Sequence, residues 1–137
     1  MTKITCQLLI FLAFCFNSVS VTANSMILGK YAWTDRLVIL ITNKKDTSLE
    51  RQVKRFFENH ACDIVDRKLN LLHFHSNGPA VTQLPKTMRA QTGLWLLGYD
   101  SSIKDFSEDG QLLNRLFQVI DRMPMRQDEM VSRPACS

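Results

Sequence analysis

Much of the common catalytic vocabulary is missing from this chain. It contains no G-x-S-x-G, no phosphate-cradling glycine loop and no H-E-x-x-H. That removes a strained serine elbow, a nucleotide-binding loop and a helical zinc pair from consideration. Four acidic residues fall between Asp100 and Gly110, but not at the spacing of a calcium loop, and they read as a turn and a helix start. Glycine and proline are sparse, at five and four residues, with no repeat, low-complexity tract or internal linker. The longest apolar run has roughly 13 residues, short of the ~20 a membrane-spanning helix needs, and no later segment comes close.

What is present begins with a leader. Lys3 supplies a positive start, Ile4 to Phe16 is apolar apart from Thr5 and Gln7, and small and polar residues run from Asn17 to Ser25. The order is that of a cleavable secretory signal, with Val21-Thr22-Ala23 or Ser18-Val19-Ser20 as the cleavage pattern. Leu12-Ala13-Phe14-Cys15 has some likeness to a lipoprotein site, but bulky Phe14 argues against lipid attachment. Residues 1–23 are therefore expected to be signal and 24–137 one secreted or periplasmic domain. Lys3 leaves with the signal, so 16 basic residues face 13 acidic ones. A net +3, scattered, gives no case for nucleic acid. Cys6 and Cys15 leave too. Cys62 and Cys136 remain, and an oxidising compartment suggests a disulfide between them, with a frayed Cys136 as the alternative.

Leu37 to Thr42 is an unbroken aliphatic run suited to a strand buried on both faces. Thr47-Ser-Leu-Glu50 reads as a capping box, and Leu49, Val53, Phe56 and Phe57 make the apolar stripe of a helix ending near Asn59. A strand is expected over 68–74, and a weak helix over 81–90, interrupted by Pro85. Gly93 to Gly98 and Ile103 to Phe106 form a hairpin turned by Asp100-Ser101-Ser102. Ser107 caps a last helix striped by Leu112, Leu113, Leu116, Phe117 and Ile120, which Pro124 stops. The order β-α-β-α-β-β-α predicts an α/β fold with a mostly parallel sheet ending in a hairpin, the minimal thioredoxin-like layout.

A thioredoxin-like enzyme holds its thiolate where the first helix begins, because the helix dipole and free N–H groups lower its pKa there. Residues 43–48 hold no cysteine, and no proline stands directly before Leu94. Cys62 is a poor substitute, since Asp63 and Asp66 would raise its pKa. His73 and His75 share a strand face, with His60 and Cys62 one connection earlier. Two histidines at i, i+2 without further ligands read as solvent-facing strand residues rather than a zinc site. No metal or cofactor is expected.

Two segments are more distinctive: Tyr31-Ala32-Trp33-Thr34-Asp35-Arg36, and Ile120 to Met130 with Met123-Pro124-Met125-Arg126 and Glu129-Met130. Together they resemble the domain-of-unknown-function family numbered 4174. Asp66-Arg67-Lys68-Leu69 adds to the likeness; Gly98-Tyr99-Asp100-Ser101 departs from the family's Gly-Lys-Asp-Gly turn, which implies a reshaped loop. The resemblance implies a thioredoxin-like fold, found in exported bacterial proteins and as the terminal domain of sushi-repeat extracellular proteins, without an established activity. Tyr31, Trp33, Arg36, Met123, Pro124, Met125, Arg126, Glu129 and Met130 are the family-motif or binding candidates. In one reading Tyr31 and Trp33 pack under the sheet, Pro124 ends the helix and Met123 and Met125 fill the gap. In the other Trp33, Arg36, Met125, Arg126 and Glu129 form a partner-capturing surface; Arg36 or Arg126 pairing with Glu129 fits either. The expectation is a non-catalytic exported domain binding a protein or envelope component. The alternative is an envelope thiol-disulfide oxidoreductase using Cys62 and Cys136.

Overall fold

The computed structural model describes residues 26–45, 47–132 and 136. The expected leader over residues 1–23 lies outside them. A short helix α1 (Met26–Gly29) precedes β1 (Arg36–Thr42), α2 (Ser48–Asn59), α3 (Ala61–Asp66) and β2 (Leu69–His75). A 3-10 turn at Pro79–Gln83 and α4 (Lys86–Arg89) lead to β3 (Gly93–Leu97) and β4 (Ile103–Ser107). Helices α5 (Gln111–Asp121) and α6 (Pro124–Ser132) follow. The class is α/β, built on a mixed four-stranded sheet of order β2-β1-β3-β4. No helix among the described residues is long and apolar enough to cross a membrane.

The aliphatic run places β1 at the centre, where all seven of its residues are buried. Its side chains alternate between two cores. Val38 and Leu40 meet Val53, Ile64, Leu112, Leu116 and Ile120 from α2, α3 and α5. Leu37, Ile39 and Ile41 meet Leu28, Val81, Leu84 and Met88 from α1, the 3-10 turn and α4.

Among the described residues, one of three strand pairings is parallel. β1 runs parallel to β2, but β3 runs antiparallel to β1 and to β4. This corrects the mostly parallel expectation. A parallel crossover must return along the length of a strand, here roughly 23 Å for seven residues. Pro85 divides the expected helix over 81–90, leaving four-residue α4, only about 6 Å long. The connection therefore stays at one end of the sheet, and β3 enters from there.

Local signals act largely as read. Thr47 Oγ1 accepts from Glu50 N at 3.1 Å to cap α2. At α5 the helix opens later than expected, at Gln111. Ser107 ends β4, yet its hydroxyl still accepts from Leu112 N at 3.1 Å, while Asp109 Oδ1 accepts from Gln111 N at 2.9 Å. Pro124 does two jobs: it follows the end of α5 and opens α6, where its missing N–H costs nothing. In the hairpin Ser101 takes φ +61°, the left-handed geometry a glycine would favour, and Asp100 Oδ1 accepts from Ser102 N at 3.1 Å.

Candidate functional site at the start of the central strand

The two distinctive segments, some ninety residues apart in sequence, meet at the N-terminal end of β1. Trp33 enters with φ +64°, held there by its N–H donating to Tyr99 O at 2.7 Å. A bulky residue in that region is uncommon and stores strain. The geometry turns the indole outward, 66% exposed. Tyr31 instead packs partly buried against the α1 side of the core.

Arg36 opens β1 and is 1% exposed. Its Nη1 donates to Arg67 O at 2.9 Å, Tyr99 Oη at 3.0 Å and Glu129 Oε2 at 3.1 Å. The guanidinium lies 4.0 Å from the Tyr99 ring centroid. Tyr99 Oη in turn donates to Glu129 Oε1. Burial and the bond to Glu129 push the Tyr99 phenol up to about 12. Burial alone would raise Glu129 as well, but the bonds from Tyr99 and Arg36 and nearby positive charge outweigh it and hold the carboxyl below its usual range.

A second buried cation sits beside the first. Arg126, 2% exposed, is the one buried residue of α6. It bonds Asp66 through Nη2, Asp66 O through Nη1 at 3.0 Å and Asp121 Oδ1 through Nε at 3.1 Å. Arg67 closes the network on Asp121 at 3.0 and 2.8 Å and on Asp63 Oδ1 at 3.0 Å. The bonds from Arg67 and Arg126 leave Asp121 below its ordinary value against the opposing effect of burial. Three arginines and four carboxylates thus tie β1, α3, α5 and α6 together. Removing one partner from such a set leaves an uncompensated buried charge.

This divides the surface expected from Trp33, Arg36, Met125, Arg126 and Glu129. Arg36, Arg126 and Glu129 all enter internal ion pairs, because each arginine lies deep between elements that supply its carboxylates, Arg36 through Nη1. Trp33 and Met125 face outward, Met125 at 47% exposure. They border a cleft of about 460 Å³ whose walls include Arg36, Tyr99, Met123 and Pro124, with Lys104 and Arg122 also lining it. Met130 lies apart from that cleft, in a smaller hollow with Cys136, Asp63 and Arg126.

Cys62, exposed on α3, is bonded to Cys136 with a Cα–Cα distance of 5.9 Å. His73 is exposed on β2, as expected, and His75 is half-buried; both meet Thr42. Thr42 Oγ1 lies 2.8 Å from His73 Nε2 and 3.3 Å from His75 Nδ1, and Glu50 Oε1 is 3.7 Å from His73 Nδ1. Burial lowers His73, despite the opposing charge of Glu50. Among the described residues no three His, Cys, Asp or Glu gather as a metal would need. Sequence reading missed Tyr99, Asp63 and Asp121. An aromatic residue in an otherwise polar turn was the available sign for Tyr99, and Asp121 lay inside the distinctive C-terminal segment without a role.

The fold and this charge-locked strand start define an α/β domain with a mixed four-stranded sheet. Residues 27–129 match the model of the domain-of-unknown-function family DUF4174, so the chain belongs to that family. No curated protein and no solved structure matches it.

Proposed function

We propose that the chain is an exported, non-catalytic thioredoxin-like domain that binds a protein partner in the cleft between Trp33 and Met125. The observation that carries this reading is convergence: two segments far apart in sequence build one cleft, and Trp33 is held in a strained conformation that exposes it. Aromatic, methionine and arginine side chains are those enriched where proteins meet. The sheet order β2-β1-β3-β4, with α2 as the crossover, supports the thioredoxin-like description. The α2 start, where that fold keeps its reactive cysteine, carries Thr47 and Ser48 instead.

Photo-crosslinking tests it. A crosslinking residue at position 33 or 125, in the producing cells, should give one discrete protein adduct, and position 45 on an exposed loop should not. Absence of an adduct at 33 and 125, or the same adducts at 45, would sink the reading. Mature protein beginning at Asn24 or Val21 on N-terminal sequencing would support export, and retention of Met1 would remove it.

One observation favours the second reading, thiol-disulfide exchange: the Cys62 side of the bridge is exposed. Against it stands the position of Cys62, which lies beyond the C-terminal end of α2 and not at its start. Insulin-reductase activity that disappears in Cys62→Ser would reverse the order of the two.

A further inference from the structure

Two arginines of this protein grip carboxylates by the same edge. Arg67 presents Nε and Nη2 to Asp121 at 3.0 and 2.8 Å, and Arg115 presents the same pair to Asp105 at 2.7 and 2.9 Å. Arg36 has that edge too, and uses it for nothing. Among the described residues, all its hydrogen bonds run through Nη1. Nε and Nη2 are buried with no hydrogen-bond partner among the described residues. Buried donors of a charged group are costly to leave unpaired, so their persistence calls for a reason. Arg36 also forms part of the cleft wall.

We propose that the cleft receives the C-terminal residue of a polypeptide, its carboxylate on the Nε–Nη2 edge of Arg36 and its apolar side chain against Trp33, Met123 and Met125. This rests on the reading of the cleft as the partner site. A carboxylate matches the planar two-donor fork. A single negative charge fits better than two, because Glu129 already pairs with Arg36 and Asp100 lines the same cleft. Arg122 stands exposed on the wall as a guiding cation, whereas Lys104 is engaged with Asp100 at 3.3 Å. A chain end carries its carboxylate and side chain on one carbon, which suits a fork and an apolar wall sharing one cleft. Nε and Nη2 are covered in this structure, so side chains of the cleft wall move for a carboxylate to reach them.

Calorimetric titration of the whole mature chain with N-acetylated tripeptides ending in leucine or phenylalanine tests this, each used as free acid and as C-terminal amide, with hexanoate as a third probe. The acids should bind at least tenfold more tightly than the amides. Arg36→Gln should erase the difference, and Trp33→Ala should weaken both forms. Should Arg36→Gln fail to fold, the acid–amide ratio on the unaltered chain decides. Equal binding of acid and amide overturns the carboxylate assignment while leaving the cleft a partner site. Hexanoate binding as tightly as the peptide acids overturns the chain-end assignment. No binding by any acid overturns the proposal, and the crosslinking result then tells separately whether the partner reading stands.

Discussion

Replacing Tyr99 with phenylalanine keeps the ring under Arg36 but deletes the hydroxyl that donates to Glu129 and accepts from Arg36 at 3.0 Å. Two hydrogen bonds to charged groups go, and each such bond contributes about 1.5–3 kcal/mol. The stacking of guanidinium on ring, at 4.0 Å, survives. Arg36 and Glu129 keep each other at 3.1 Å, so the loss should be less than the sum, about 2–4 kcal/mol near pH 8. The proton sets the pH dependence: burial and the bond to Glu129 push the phenol up to about 12 in the folded protein, above its ordinary value of 10. Because the folded value is the higher one, this stabilisation is full below pH 10 and is lost as pH rises towards 12. Urea unfolding of the parent and Tyr99→Phe, followed by circular dichroism from pH 8 to 11.5, reads both. The gap between them should be about 2–4 kcal/mol at pH 8 and shrink above pH 10. A gap that stays constant to pH 11.5, or one below about 0.5 kcal/mol at pH 8, would refute the account of Tyr99 as the buried link between Arg36 and Glu129.

Three further outcomes concern the bridge, the β3–β4 hairpin and His73. The Cys62–Cys136 bridge spans 74 positions, and the chain-entropy model assigns a loop of that length about 4.5 kcal/mol, so reduction should lower the urea midpoint markedly; an unchanged midpoint would show that the bridge constrains little. Gly93 has φ +140°, and a Cβ there would stand 2.5 Å from Ser107 O, so Gly93→Ala should cost at least ~2 kcal/mol in the same assay and a neutral result would contradict the β3–β4 pairing. His73 is lowered below 6.5 by burial, so its contribution is present above 6.5 and lost as pH falls through its folded value; thermal unfolding of His73→Gln should lose part of the parent's fall in stability between pH 6.5 and 5.

The elements with a strong local cause were legible in the sequence. β1 announced itself by an aliphatic run, α2 by Thr47 and its stripe, and the hairpin by Asp100-Ser101-Ser102. The direction of β3 was not, because it depends on how far Pro85 lets the connection travel, a property of chain geometry and not of pattern. The site was half legible. Trp33 and Met125 could be picked out as candidates, and so could Arg36 and Arg126. That the two arginines would be buried depended on Asp66, Asp121 and Tyr99 arriving from three other elements, and no spacing rule reports such a meeting. The Thr42–His73–His75 cluster was hidden for the same reason: Thr42 and His75 become neighbours only through the parallel register of β1 and β2.

The ion pair between Arg36 and Glu129 joins the start of the first strand to a helix 93 positions later. During synthesis the sheet and both apolar faces can gather as soon as β4 and α5 have emerged. The guanidinium at the head of β1 then has no counterion until α6 arrives, since that helix brings Glu129 to Arg36 and Arg126 to Asp66. A chain stopped after Met123 would hold almost every core side chain and still carry a buried charge without its partner. The last helix thus contributes to stability through the counterion it brings to the head of β1 rather than through the core.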